Sequence, residues 1–114
     1  MPLRGEVFMA NLEPSEGSEQ GGTRPVVVVS RDALNRFSPV VVVCSITGAA
    51  NKKKIYPSHV KVSAGDGGLR IDSIVVCEQV RAISKTRLKD QLGKFEKSVM
   101  TSIEAALKIT LDLS

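Results

Sequence analysis

Arg24 is the next-to-last residue of the stretch "SEQGGTRP" (18–25), which stands directly ahead of an unbroken run of four valines. Two glycines would suffice for a turn, since glycine accepts positive φ without a Cβ clash, so the acid, the amide and the guanidinium need their own explanation. Gly21 and Gly22 let backbone approach a ligand closely, and Pro25 stiffens the chain where the buried run begins. A planar guanidinium held there suits forked contact with a phosphate. The plainer reading is a solvated loop cation whose methylene stem covers an apolar edge.

Thr47 ends the second valine-rich run, "PVVVVCSIT" (39–47). If the two runs are neighbouring strands, their ends bring its hydroxyl near Arg24; otherwise it is an edge threonine facing water. Lys52, Lys53 and Lys54 form the only basic triplet, either a solvated loop or a patch that steers a phosphate backbone. Tyr56 and Phe37 can stack on bases or serve as core or hinge residues. His59 is the sole histidine, which excludes a two-histidine acid–base pair within one chain, and its plain role is structural. The polar pair Glu78 and Gln79 reads, on pattern alone, as ordinary strand-end polarity.

These residues need a scaffold. Alternation over 5–12, continuous apolar runs over 25–30 and 39–47, "HVKV" over 59–62, and one long or two broken stretches over 72–83 read as strands. A long polar, glycine-rich loop fills 13–23, one helical turn closed by Asn35 fills 31–38, and loops fill 48–58 and 63–70. Met100, Ile103, Leu107 and Leu111 recur at helical spacing between Glu96 and Leu113, with Val99 and Ala106 widening the stripe. Five or six short strands and a C-terminal helix predict a strongly bent sheet or small β-barrel capped by that helix, in a single domain over 1–114.

Composition narrows the classes. Charged residues at 25% and hydrophobic ones at 42% suit a globular chain, and no apolar run reaches membrane-spanning length. "MPLRGEVFMANLEP" lacks a secretory pattern, so a cytoplasmic protein is expected. Cys44 and Cys77 sit in apolar runs and read as reduced core thiols. With one histidine and no paired-cysteine spacing, neither a metal nor another cofactor is expected. A formal charge of +4 permits a polyanionic partner without demanding one.

The segments "RGEVFMANLEPSEGSEQGGTRPVVVVS", "NRFSPVVVVCSIT", "YPSHVKV", "DSIVVCEQVRAISKTRL" and "EAALKITL" together resemble the MazF/PemK toxin family of ribosome-independent endoribonucleases over nearly the whole chain. The GSEQGGxRPV element is the most specific part. The resemblance implies a CcdB-like, SH3-like barrel and a homodimer. It further implies metal-independent cleavage of single-stranded RNA, mRNA included, at short specific sequences, and inhibition by a cognate antitoxin of the MazE type. It places the essential arginine and threonine on Arg24 and Thr47, and lines the RNA groove with Glu19, Gln20, Ser73 and Gln79. The implied chemistry is attack by the substrate's own 2′-OH, giving a 2′,3′-cyclic phosphate and a 5′-OH. Two rivals are a binding-only nucleic-acid module and the gyrase poison on the same fold. The latter relies on a C-terminal tryptophan, and this chain has no tryptophan.

Overall fold

The two valine runs form adjacent antiparallel strands in the computed structural model, which describes residues 1–52 and 54–114. In chain order the elements are β1 (Glu6–Asn11), β2 (Thr23–Val28), α1 (Asp32–Phe37), β3 (Val40–Gly48), β4 (His59–Val62), β5 (Ser73–Ser84), β6 (Leu88–Lys94) and α2 (Lys97–Leu111). The strands make one six-stranded sheet in the order β4-β5-β3-β2-β1-β6, antiparallel throughout. It stays open: β4 and β6 are its two edges. The turn at Asp66–Gly68, which follows β4, packs on the backbone of β6 around Leu92 and Gly93, and this brings the two edges toward each other without a ladder between them.

Strand pleating sorts the core into two clusters. Val27, Cys44, Ile46, Val75 and Cys77 pack with Met100, Ile103 and Ala106 of α2. The alternate residues Val26, Val28, Val41, Val43 and Ile83 pack with Ala10 and Leu12 in the other cluster. Successive side chains of a strand face opposite ways, so a continuous valine run is buried on both faces, and that is why neither run alternates with polar residues. Cys44 and Cys77 are buried and free. The hydrogen bond between them and then burial push the Cys44 thiol far above its ordinary range, so it stays a protonated core group.

Three details differ from the expectations drawn from sequence, and one alternative left open there is decided. β6 is absent from them, because "LKDQLGK" is an edge strand, mostly exposed, with no apolar alternation to reveal it. Asn35 does not close α1, which continues to Phe37; it is fully buried and its amide donates to the Ser30 carbonyl at 2.9 Å. Phe37 and Tyr56 are exposed rather than core residues, and Leu111 lies outside the packed stripe of α2. The 72–83 stretch is one strand with a bulge, described below.

Ser45 is fully buried opposite Val26, and its hydroxyl has no partner among the described residues. An unpaired buried hydroxyl costs roughly 1 kcal/mol or more. Ser45→Ala is therefore expected to raise stability by about 1 kcal/mol, read as a higher midpoint in urea at unchanged m. A drop in the midpoint would mean that the hydroxyl has a partner in solution. Among the described residues, no helix is long and apolar enough to cross a membrane.

Candidate functional site

β2 and β3 pair with Val26 opposite Ser45, Val27 opposite Cys44 and Val28 opposite Val43. The β2–β3 ladder ends at the first of these pairs, with Arg24 and Thr47 each two residues beyond it. Both belong to the strands themselves, Arg24 being anchored on its other side to Ala10 of β1 and Thr47 to Ile74 of β5. Thr47 is 8% exposed, and its Oγ1 accepts a hydrogen bond from the Asn51 amide at 3.3 Å. The threonine hydrogen is thereby left to donate outward. Asn51 carries no signal in the sequence; only the short 3₁₀ turn at Ala49–Asn51 returns it over the end of β3.

Arg24 is held by its own loop. Its Nε donates to the Gly21 carbonyl at 2.8 Å, and Nη1 donates to the Gln20 side-chain oxygen. Of the five N–H donors of a guanidinium these use two, so the outer edge of the fork remains for an anion. The loop is tied at its base: Glu13 Oε1 accepts the Gly22 N–H at 2.6 Å, and Arg87 donates to the carbonyls of Asn11 and Glu13. Arg81 reaches the Leu12 carbonyl at 3.4 Å. Glu13, Arg81 and Arg87 are supports that the motif alone does not disclose.

The remaining candidates fall into three groups. Gln20 and Gln79 meet directly, the Gln79 Oε1 accepting the Gln20 N–H at 3.2 Å. Glu19 turns back on its loop, accepting the Glu16 N–H at 2.7 Å, and lines a shallow cavity of about 350 Å³ with Ser18, Glu78 and Gln79. Ser73 lies away from them at the start of β5; its hydroxyl donates to the Ile71 carbonyl at 2.9 Å, and it shares a cavity of about 470 Å³ with Lys52. Ser73 also lines a second cavity of about 500 Å³, with Thr47, Pro25 and Arg70 on its wall. Lys54 is exposed and Lys53 lies outside the described residues.

His59 is structural in its contacts. Its Nδ1 accepts the Tyr56 N–H at 3.2 Å, which leaves Nε2 to donate to Glu78 at 2.8 Å, and the Tyr56 ring meets it edge-on. Partial burial raises the Glu78 carboxyl, but hydrogen bonds from Ser58 and His59 outweigh that and hold it below its ordinary value. Among the described residues no three His, Cys, Asp or Glu side chains gather as a metal-binding group.

The architecture has close counterparts among solved structures. An endoribonuclease in complex with its cognate antitoxin from a mycobacterial species superimposes with a TM-score of 0.82 at 28% identity, covering 100% of this chain and 98% of that one. MazF from Deinococcus radiodurans matches with a TM-score of 0.82 at 28% identity, over 97% of this chain and 96% of its own. A further mycobacterial endoribonuclease matches with a TM-score of 0.79, also at 28% identity, over 98% and 92% of the two chains. Residues 3–111 match the model of the PemK-like, MazF-like toxins of type II toxin–antitoxin systems. With 28% identity over full-length structural matches and a family match from Leu3 to Leu111, the chain belongs to the PemK-like, MazF-like toxin family.

Proposed function

We propose that the protein is a cytoplasmic, sequence-specific endoribonuclease, one toxin domain over 1–114, which cleaves single-stranded mRNA and so arrests translation. The observation that supports this reading is the end of the β2–β3 ladder at Val26 and Ser45, which leaves Arg24 and Thr47 on neighbouring strands, each two residues beyond it. Similarity to the mycobacterial endoribonucleases and to MazF supports it.

In the proposed reaction the 2′-oxygen on the 5′ side of the scissile bond attacks phosphorus. The O2′–P bond forms as the P–O5′ bond breaks, the 2′-OH proton leaves with a base, and O5′ takes up a proton. The products are a 2′,3′-cyclic phosphate and a 5′-OH. Negative charge gathers on the non-bridging oxygens, where donors fixed beforehand stabilise the transition state more than the ground state. Arg24 supplies the charged fork, and Thr47, its oxygen occupied by Asn51, supplies a hydroxyl hydrogen. The family resemblance would put Glu19, Gln20, Ser73 and Gln79 along the RNA path, and Lys52, Lys53 and Lys54 would steer the RNA backbone.

The nucleophile belongs to the substrate, so the reading needs no metal. Purified protein in excess EDTA is expected to cut a long RNA at one short motif, leaving 5′-OH ends. Loss of cleavage that Mg²⁺ restores, or ends carrying 5′-phosphate, would overturn it. RNA binding is expected to weaken steeply with salt, and Lys52→Ala with Lys54→Ala should flatten the plot of log K against log [salt] by about 0.7 for each phosphate that is no longer neutralised. An unchanged slope would remove the lysines from the interface.

The second partner is an antitoxin of the MazE type, acting on a toxin homodimer; the mycobacterial relative is known in complex with its cognate antitoxin. An acidic, partly disordered segment can set carboxylates where RNA phosphates would lie, over the groove walled by the 13–23 and 48–58 loops.

A further inference from the structure

Where β5 passes β3, the register jumps: Cys44 pairs with Val80, but the next residue, Ser45, pairs with Val76. Cys77, Glu78 and Gln79 therefore have no partner on β3. Bulges of this kind re-aim side chains, and here the exposed Glu78 and the half-buried Gln79 serve opposite loops. Glu78 binds Ser58 Oγ at 2.7 Å and His59 Nε2 at 2.8 Å, on the 48–58 side. Gln79 goes to the other loop with both ends of its amide: Oε1 accepts the Gln20 N–H at 3.2 Å and Nε2 donates to the Ser18 carbonyl at 3.3 Å. The pattern fixes the amide orientation, since a flipped group would set donor against donor.

We infer that Gln79 is a positioning residue, a clasp from the β5 bulge to the backbone of Ser18 and Gln20 that fixes the Gln20 side chain against the Arg24 guanidinium. The family resemblance sets Gln79 on the wall of the RNA groove. Its geometry assigns the amide instead to the protein's own loop, with a continuous relay from Gln79 through the Gln20 backbone and side chain to Arg24 Nη1. The loop runs from Glu13 to Gly22 without regular structure, and the Arg24 side chain, whose hydrogen bonds go to that loop, is only as well oriented as the loop is. A fork that must meet phosphate oxygens tolerates little displacement, and misplacement by about 1 Å can cost a hundredfold in rate. The bulge thus acts as a spacer that brings an amide to a loop which a regular strand would not reach. The inference rests on the reading of Arg24 as the group that holds the scissile phosphate.

The test has one arm without RNA and one with it. In the free protein, amide hydrogen exchange at Gln20 is expected to be about tenfold faster in Gln79→Ala and in Gln79→Leu than in the wild type. The leucine variant keeps the side-chain bulk at this strand position. With RNA, both variants should lose about tenfold in kcat on every cleaved sequence, with KM changed less than about twofold. Gln79→Ala made in a Gln20→Ala background should add little further loss, because the relay is already cut. Gln91→Ala, on the exposed edge strand, serves as the control and should match wild type in both arms. Unchanged Gln20 exchange overturns the clasp. So does full additivity of the two substitutions, or a rise in KM confined to one RNA word, each of which marks Gln79 as a direct reader of RNA. If wild-type protein cleaves no RNA, the proposed function falls while the exchange arm still decides the clasp.

Discussion

Arg24→Ala is expected to lower RNA cleavage by at least about a hundredfold while leaving the thermal midpoint nearly unchanged. The side chain is partly exposed, and its contacts are to its own loop, at Gly21 and Gln20, so the core does not depend on it. Its value lies in a fork of donors fixed in place before charge develops on the phosphate. The loss should appear in kcat, since the transition state carries more charge than the ground state, with RNA affinity falling less. Arg24→Lys should recover little, because a single ammonium cannot reproduce the planar fork. Thr47→Ala should show the same pattern, and Asn51 would then have no oxygen to hold. The measurement is single-turnover cleavage of an RNA carrying one site, beside thermal unfolding of the same preparations. Near wild-type cleavage by Arg24→Ala would remove the proposed site.

The largest loss of stability is expected from Gly68→Ala. Gly68 has φ +78, and a Cβ built there would overlap the Leu92 carbonyl oxygen and lie 2.6 Å from its carbon. The obstacle is the backbone of β6, which pairs with β1 on either side of Leu92 through Gln91 and Gly93, so no rotamer change relieves it. Left-handed backbone costs a residue with Cβ about 1 kcal/mol, and overpacking adds about 1–3 more, together a large part of a typical domain's stability. The thermal midpoint should fall by about 10–20 °C. Gly17→Ala is the comparison: its φ is +60, but nothing lies within 4 Å of the added carbon, so only the backbone cost remains. Equal midpoints for the two variants would contradict the close approach of the Asp66–Gly68 turn to β6.

The Gly68 case also shows why one strand escapes the sequence. The apolar runs that became β2 and β3 declare themselves, because burial on both faces leaves no other reading of four successive valines. The stripe on α2 is legible for a similar reason, with Met100, Ile103 and Ala106 recurring where one helix face meets the sheet. β6 has no such mark. Its "LKDQLGK" is polar enough for a loop, and it becomes a strand because β1 offers an edge and because the glycines of the 66–68 turn admit its backbone. Edge pairing is a property of the partner as much as of the strand.

By itself, the sequence determined the class of the fold, the two central strands, the capping helix and the choice of Arg24 and Thr47 as the pair to watch. The fold class, the strands and the helix follow from local pattern, and the choice of Arg24 and Thr47 from the resemblance to the toxin family. Only the tertiary structure decided that Arg24 and Thr47 sit on neighbouring strands, each two residues past the last β2–β3 pair, because register is set between strands and not along them. It alone decided that Asn51 holds the Thr47 hydroxyl and that Gln79 reaches the 13–23 loop, since the one depends on a 3₁₀ turn and the other on a bulge. It also separated Ser73 from Glu19 and Gln79, which the family resemblance groups together. Side chains brought together from distant segments leave no spacing to read, and their geometry exists only once the chain has folded.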